Sequence, residues 1–530
     1  MREKILNGIG LGLLAVCFIA ALGRIAVMKL GSNHEGQKQV IVRIAHWQLE
    51  NGPKEAFDKI AQEYMRLHPG VKVEPLPIPE KIYPNWAITQ LIGETAPDII
   101  QVRTWDNTLT RFFVPLSELA DKPNPYNKGT DLEGVPLRQT FFDGMEGGYS
   151  PLLLEYYWIP VSASSIRLFY NLDLLEEITG SRQLPVTYEE FISLCEKIAQ
   201  YARAEKLPLV PIAGSSYNAP FLMKGLFSSQ TQKLSEQLSD IGTLTDDPIG
   251  RTSDWLEGRW SFETEAVRSG LALMRETGQY MQPGFIQLMR DDATLLFIQR
   301  RAVIICTGSW DATSIRQQVR FRVGVTPIPY PSAENPRFGK FTLGALSEAG
   351  TNAAVSFGLT RKAPNAEVAR DFLLFLASRQ ANQIWTDVSG WIPAIVGTRP
   401  GSEVQPFLPV ADGYLAGLQP TVGDGPDTTR LFNTSLHLLV NPMGSVESFI
   451  KAAKDKYPDA LASDLRRNLR ANVGLIQRGD TQFAALEWTA RGKKNEAARR
   501  LDIFLQADSA NQRQYYRARL TLEKAGQPTQ

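Results

Sequence analysis

Cysteine and histidine are scarce in this sequence, and neither sign of charge is in excess. Three Cys residues among 530 are too few for a disulfide framework, so an ordinary core must hold the fold. The four His residues are scattered, with no two at the i, i+4 spacing of a zinc-binding helix. Lys and Arg number 57 against 56 Asp and Glu, which argues against a whole-chain nucleic-acid binder.

Motifs of common enzymes and nucleotide binders are also missing. The sequence contains no Walker A pattern, no G-x-S-x-G and no repeat of 20–50 residues. Its carboxylates could supply a general acid and base, but sequence alone cannot place two of them at the separation a glycosidase needs. We therefore predict no catalytic residues, no cofactor and no metal, and keep a polysaccharide hydrolase or lyase only as an alternative.

The N-terminus carries the only long uncharged apolar run. Arg2 and Lys4 precede an apolar stretch from Ile5 to Gly23, and Arg24 ends it. This pattern is typical of a secretory signal peptide, but the stretch is also just long enough to span a bilayer as a retained anchor. In both cases the rest of the chain is predicted to be exported, either periplasmic or anchored to the outer face of the cytoplasmic membrane.

The body of the chain alternates between strand and helix patterns. A β-branched run begins at Val40, and apolar residues at helical spacing follow from Lys54 to Leu67. This order predicts a mostly parallel sheet covered by helices. Residues 228–260 are rich in Ser, Thr, Asp and Gln and are predicted to be a polar surface insertion. Further helices are predicted at Asn85–Ile92, Thr187–Glu205, Ser261–Thr277 and Ala366–Ser378, and further strands at Asp98–Val102, Ala302–Cys306 and Ala354–Leu359.

Five segments in a fixed order match one protein family. They are the strand-helix-strand from Val40 to Val73, Gly93–Ile100, Ile159–Phe191, Phe297–Trp310 and Val355–Ala394. With these segments the sequence resembles the family 1 extracellular solute-binding proteins, the maltose-binding-protein-like receptors of ABC importers. Each motif alone is weak, and their order and spacing carry the resemblance, which covers roughly residues 40–445.

The resemblance implies an α/β protein of the two-lobed periplasmic binding protein fold, type II-like, with a hinge. The first lobe would comprise residues 40–160 plus 330–380, and the second 165–322 plus 385–445. The chain would cross between lobes at Pro160–Ser164, Thr326–Pro331 and Ser378–Trp385. Residues 1–39 would be signal or anchor plus linker, and 446–530 a basic C-terminal helical extension.

Several aromatic and polar residues stand where strands should end, which is where open α/β sheets bind ligands. Carbohydrate rings have apolar faces edged by hydroxyls, so aromatic rings combined with polar side chains suit a sugar. The resemblance adds Trp310 as a stacking residue, Tyr217 as a lining aromatic, and Ser164 where maltose-binding members carry a carboxylate. The predicted ligand-binding residues are Trp47, Glu50, Trp105, Asp106, Ser164, Tyr217 and Trp310.

The resemblance predicts a non-catalytic receptor that captures a carbohydrate or related polyol and delivers it to ABC permease subunits. The alternative within binding proteins is a solute sensor for a membrane signalling partner. The predicted partners are therefore a small-molecule solute, a sugar, and the permease, with no nucleic acid.

The C-terminal tail departs from the family. Residues 451–530 carry 16 Lys and Arg against 9 Asp and Glu, while the first 450 residues carry 41 against 47. Apolar residues at helical spacing predict three or four helices, with breaks at Gly479-Asp480 and at Gly492. Two interpretations stay open: an extra helical layer packed on the second lobe, or a docking surface for a partner or an anionic membrane.

Overall fold

The computed structural model describes residues 39–102, 110–150, 153, 155–239, 248–350, 353–490 and 496–526. The apolar stretch Ile5–Gly23 lies outside these residues. Within them, no helix combines the length and apolar character needed to cross a membrane.

Two mixed sheets form the centres of two lobes. The first has the order β2-β1-β3-β11-β6, and the second has the order β10-β7-β9-β8. Each sheet is parallel apart from one inserted strand, β11 in the first and β7 in the second. The predicted α/β architecture is thus confirmed, although four of the seven strand pairings in these two sheets are antiparallel. The strands are β1 Val40–His46, β2 Val71–Pro77, β3 Ile99–Val102, β4 Tyr149–Ser150, β5 Glu155–Tyr156, β6 Ile159–Ala163, β7 Ile166–Asn171, β8 Val210–Ala213, β9 Ala302–Gly308, β10 Val323–Thr326 and β11 Ala353–Leu359.

Helices cover both sheets, and their apolar faces are those that the periodicity indicates. In the helix Asn51–Leu67, for example, Phe57, Ile60 and Tyr64 are buried against the first sheet. The α-helices are α1 Asn51–Leu67, α2 Tyr83–Ile92, α3 Ser117–Ala120, α4 Leu172–Thr179, α5 Tyr188–Ala204, α6 Ala219–Gln230, α7 Gln232–Leu238, α8 Pro248–Leu256, α9 Glu265–Gly278, α10 Arg290–Ile298, α11 Ala312–Gln318, α12 Ala366–Leu376, α13 Arg379–Ser389, α14 Pro426–Ser435, α15 His437–Val440, α16 Val446–Ala453, α17 Tyr457–Ala490 and α18 Glu496–Lys524.

The connections between the lobes are fixed by one buried arginine. Arg167, at the start of β7, is fully buried and pairs through two nitrogens with Glu348, at 2.6 and 3.0 Å. Its guanidinium also donates to the carbonyls of Pro406 and Leu408. One side chain therefore ties β7 to two later segments of the chain, around Glu348 and at 406–408.

Two predicted lobe boundaries are wrong. Helix α13 and Trp391 pack in the core of the first sheet, so the segment after residue 385 does not yet belong to the second lobe. Phe338 lies in the core of the second lobe, although 330–380 was assigned to the first. In both cases the packing of large apolar side chains decides to which lobe a segment belongs. The sequence motifs indicate only where the strands lie.

The stretch 228–260 is not a surface insertion. Gln230 and Gln232 are fully buried, and Trp260 is almost so. Trp255 packs edge-on against Trp260 at 4.9 Å and lies 5.8 Å from Tyr457, at the start of α17. The C-terminal extension thus covers helix α8, whereas segments around Thr342 and Leu418 cover Ser228–Gln232, so the polar composition of the stretch is misleading.

The extension itself is a hairpin of two long helices. Helix α17 runs through Gly479 and Asp480 without a break, so the break predicted there is wrong. A glycine within a helix costs about 1 kcal/mol, which packing along the partner helix α18 can offset. The position of Gly492 lies outside the described residues.

Candidate functional site

Strand β9 delivers Trp310 to the end of the second sheet. Every residue of β9 is buried, and a 3₁₀ turn, Ser309–Asp311, follows it at once. The indole folds back over Gly308, where an added Cβ would lie 2.3 Å from three ring carbons. A glycine is therefore required at position 308 for Trp310 to adopt this position. The half-buried ring also packs against the core of the first lobe.

An aromatic row extends from Trp310 along the second lobe. Phe221 lies 6.0 Å from Trp310 and 5.1 Å from Tyr217, in edge-on geometry both times. The loop before α6 holds Tyr217 in place, because Asn218 donates to the carbonyl of Cys306 on β9 at 2.9 Å. The structure therefore brings together Tyr217 and Trp310, two residues predicted separately from the sequence.

An ion pair braces this row. Arg290, at the start of α10, pairs with Asp311, and its guanidinium carbon lies 5.1 Å from the ring centre of Tyr217. Asp311 also accepts a hydrogen bond from the Thr307 hydroxyl at 2.5 Å. Arg290, Asp311 and Tyr217 thus form a connected group. We call these three residues, together with Phe221 and Trp310, the second-lobe wall.

Burial and neighbouring charges shift the pKa values of Tyr217 and Arg290 in this wall. Burial raises the pKa of Tyr217, and the carboxylates of Asp311 and Glu80 add to the increase while Arg290 opposes it. Burial alone would lower the pKa of Arg290, but Asp311, Tyr217 and Glu80 raise it overall. The phenol is thus protonated and the guanidinium charged near neutral pH.

The facing wall is built on the first lobe around Trp47. Its backbone N–H donates to the Gln101 side chain at 3.2 Å, and its ring meets Tyr83 edge-on at 4.9 Å. The Tyr83 hydroxyl in turn contacts the carbonyls of Ala45 and Gln101. A mainly apolar cavity of about 140 Å³ opens beside Trp47, lined by Trp47, Glu80, Tyr83, Pro84, Ala87, Ile88, Leu91, Ile100, Gln101, Val102 and Phe113.

Glu80 links the two walls. It lines the cavity beside Trp47, yet its charge acts on Tyr217 and Arg290 of the second lobe. We call Trp47 and Glu80 the first-lobe wall, and the effect of Glu80 on the pKa values of Tyr217 and Arg290 indicates that it lies near the second-lobe wall. A solute held there would touch both lobes.

Of the other predicted site residues, two are described and two lie outside the described chain. Glu50 is exposed at the start of α1, and its side chain makes no cap hydrogen bond there. Ser164 is half-buried in the connection between β6 and β7. Trp105 and Asp106 lie outside the described residues.

Sequence reasoning missed Phe221, Arg290, Asp311 and Glu80. Asp311 directly follows Trp310, so its position could have been noted. Arg290 stands in a helix start with two acidic neighbours, a pattern that indicates only a surface helix. Nothing in the sequence around Glu80 marks it as facing another lobe.

Histidine and cysteine side chains near the cleft are structural. His46 is buried and stacks on Phe57 at 4.5 Å. Burial lowers the pKa of His46 to about 4, with a contribution from Lys54 and against the effect of the Gln48 backbone, so the ring is neutral at pH 7. Cys195 and Cys306 are free and buried, and burial raises the pKa of both thiols. Among the described residues no cluster of His, Cys, Asp or Glu could hold a metal ion.

The fold and the cleft define a class of protein. Two α/β lobes joined by crossing connections, with an aromatic and polar cleft between them, form the architecture of a binding protein that encloses a small solute. The chain belongs to the bacterial extracellular solute-binding protein family, whose model matches residues 59–406. Members of this family are receptors rather than enzymes, in agreement with the missing catalytic motifs.

Two curated proteins show the range of sequence similarity. The chain is 24% identical over 266 residues to a multiple sugar-binding protein of Streptococcus mutans, an alignment spanning 48% of this chain and 56% of that protein. It is 19% identical over 492 residues to an uncharacterised ABC transporter extracellular-binding protein of Pyrococcus horikoshii, spanning 88% of this chain and 98% of that one.

Solved structures share the fold at low sequence identity. RafE of Streptococcus pneumoniae superposes with a TM-score of 0.55 at 16% identity, covering 81% of this chain and all of RafE. The GacH receptor of Streptomyces glaucescens, solved with acarbose, gives 0.55 at 15% identity, covering 80% and 98%. These similarities confirm the two-lobed fold.

Proposed function

We propose that this chain is an exported receptor that binds a carbohydrate or related polyol between its lobes and delivers it to an ABC permease. The observation that carries the proposal is the second-lobe wall, where Trp310, Phe221 and Tyr217 line up beside the Arg290–Asp311 pair. Aromatic rings suit the apolar faces of a sugar, and a charged pair suits its hydroxyls.

The facing residues support capture by closure. Trp47 offers a second aromatic surface on the first lobe, and Glu80 extends toward the charges of the second. A ligand that contacts both walls favours the closed arrangement, because only then are all its contacts made. Closure would be the signal by which the permease distinguishes a loaded receptor from an empty one.

The names of relatives give further support. RafE was solved with raffinose, and the relative from Streptococcus mutans is a multiple sugar-binding protein. We also propose export, with the segment Ile5–Gly23 as signal or anchor, and contact between the basic tail and the membrane surface.

Isothermal titration of the full chain against a panel of mono- and oligosaccharides tests the solute class. We expect saturable binding of at least one sugar, weakened about thirtyfold in a Trp310→Ala variant that stays folded. Binding of an amino acid, peptide or metal ion with no sugar bound would show that the proposed solute class is wrong.

A further inference from the structure

Helix α2 leaves a cavity between itself and the first sheet, because the middle residue of its buried face is small. Tyr83, Ala87 and Leu91 stand four residues apart and are buried together with Ile100 and Val102 of β3. All five line the cavity of about 140 Å³. From Tyr83 to Leu91 the helix rises about 12 Å, so the lining extends well under α2. We call this space the α2 cavity.

The hydrogen-bonding groups on the wall of the α2 cavity are largely in use. The Tyr83 hydroxyl lies 3.1 Å from the carbonyl of Ala45 and 2.8 Å from that of Gln101. The side-chain oxygen of Gln101 accepts from the Trp47 N–H at 3.2 Å, and its amide nitrogen is buried away from solvent. Apart from Glu80, the remaining lining side chains are aliphatic or aromatic. A hydroxyl group placed here would give up its bonds to water and gain little, which is costly.

One end of the α2 cavity lies close to the second-lobe wall. Glu80, three residues before Tyr83, lines the cavity, and its charge contributes to the raised pKa values of Tyr217 and Arg290. Leu91 lies about two turns further along the helix. The cavity therefore leads from the cleft into the first lobe, and a solute on the second-lobe wall has its opening within reach.

A void of this size is unusual inside a lobe. Protein cores are packed to the density of organic crystals, with few voids larger than a water molecule, and each unfilled cavity lowers stability. An apolar cavity of about 150 Å³ stays dry and accepts a benzene molecule. The α2 cavity has nearly that volume and a similar lining, so it suits an apolar ring or a short apolar chain.

We propose that the α2 cavity binds an apolar substituent of the solute, a ring or chain of about six carbons, while the sugar lies on the second-lobe wall. The solute is then a glycoside with an aryl or short alkyl aglycone. An unsubstituted oligosaccharide fits this cavity poorly, because each further ring would bury hydroxyls without partners. The proposal rests on the proposed function for the sugar, whereas the preference for an apolar group follows from the cavity alone.

The first experiment uses fluorobenzene as the probe and fluorine NMR of the full chain as the measurement. We expect saturable binding to the wild type. Ala87→Leu adds three carbons at the centre of the cavity and should weaken binding about tenfold or more. The matched control is Thr89→Leu, which places the same side chain on the exposed face of α2 and should leave binding unchanged.

A photoreactive probe locates the bound ring without any substitution. The wild-type chain is irradiated with a trifluoromethyl phenyl diazirine, and mass spectrometry identifies the labelled peptides. We expect labels within residues 83–91 and 100–102, suppressed by excess fluorobenzene. This measurement decides the position of the site even if the Ala87→Leu variant does not fold.

The second experiment connects the cavity to the solute. The sugar that binds most tightly in the titration panel is compared as its methyl and phenyl glycosides. We expect the phenyl glycoside to bind about thirtyfold more tightly, because its ring leaves water for the cavity. In Ala87→Leu this ratio should fall to near one. Trp310→Ala should weaken both glycosides by the same factor, because Trp310 does not line the cavity.

Three results would overturn the proposal: no saturable binding of fluorobenzene, diazirine labels outside α2 and β3 with equal fluorobenzene binding in the Ala87 and Thr89 variants, or equal affinities of the methyl and phenyl glycosides. The proposed function fails in a different way. If fluorobenzene occupies the cavity but no sugar or glycoside binds, the sugar receptor is refuted and the apolar preference of the α2 cavity is confirmed.

Discussion

The two walls of the cleft use different chemistry. The second-lobe wall is ionic and cross-braced, since Asp311 holds Arg290 and Thr307 while Arg290 covers Tyr217. The first-lobe wall is mainly apolar, with Trp47 on Tyr83 beside a cavity and a neutral His46 behind it. The side chains of the second-lobe wall are thus held in place before a solute binds, whereas the first-lobe wall provides apolar surface beside a cavity.

This contrast assigns different roles to the walls. Preorganised polar groups supply orientation and specificity, because they need no rearrangement when a hydroxyl replaces water. Apolar surface contributes affinity roughly in proportion to the area it buries. We therefore expect specificity to depend on the second lobe, and closure to bring in the first.

The largest expected effect concerns His46, which is buried and neutral next to Trp47. The pKa of His46 is lowered by burial to about 4 in the fold and is near 6.5 when unfolded. Between those pH values the unfolded chain binds a proton that the folded chain does not. The contribution of about 3 kcal/mol to the free energy of unfolding is therefore present above pH 6.5 and lost as the pH falls to 4.

A His46→Phe variant removes this titration and keeps a ring to stack on Phe57. Urea unfolding between pH 7 and pH 4 should show a loss of stability about 3 kcal/mol smaller in the variant than in the wild type. The carboxylates titrate equally in both proteins and cancel in the difference. Parallel stability curves would mean that His46 becomes protonated without cost.

Trp310→Ala tests the fixed wall. Removing an anchoring aromatic typically costs about 2 kcal/mol or more, roughly a thirtyfold loss of affinity in sugar titration. Stability should change less, because the ring is only half-buried. Trp385→Ala is the control: its ring is fully buried, so it should lose about 3–5 kcal/mol of stability. A Trp310 variant that resembles the Trp385 variant would mark Trp310 as core.

Sequence patterns predicted the parts of the fold that depend on local periodicity. Thr187 and Glu190 form a capping box at the start of α5, and the helix begins within one residue of its predicted start. Long-range packing was not predictable in the same way. The polar run from Ser228 to Gln232 is buried because elements distant in sequence cover it. Helix α17 continues through Gly479 because it packs along a partner helix.

The site shows the same limit. Tyr217 and Trp310 were open to prediction because the family resemblance implies aromatic residues at these two positions. Arg290, Glu80 and Phe221 were not, since each stands on a helix or loop whose direction is set only by the assembled lobes. A charged residue on a solvated helix and one aimed into a cleft have the same local sequence pattern.

Arg290→Lys tests the ion pair, because it keeps the positive charge but replaces the planar guanidinium with an ammonium group. We expect a loss of affinity near tenfold, about 1.4 kcal/mol, because Lys cannot pair with Asp311 and stack on Tyr217 together. Arg322→Lys, in an exposed pair with Asp173 on the same lobe, should change affinity hardly at all. Equal affinities of the Arg290 variant and the wild type would remove this residue from the site.

Glu80→Gln tests the smallest effect, the attraction across the cleft. Glu80 belongs to the first lobe but raises the pKa of Arg290 in the second, and we expect this attraction between the lobes to favour closure. Removing one charge at a partly solvated site should weaken solute affinity about threefold, mainly through faster release. The difference should shrink at high salt, because screening weakens exposed charges first. Glu55→Gln, an exposed carboxylate on α1, is the matched control and should stay within about twofold of the wild type. If the Glu80 and Glu55 variants release solute at the same rate, the first-lobe wall acts through apolar contact alone.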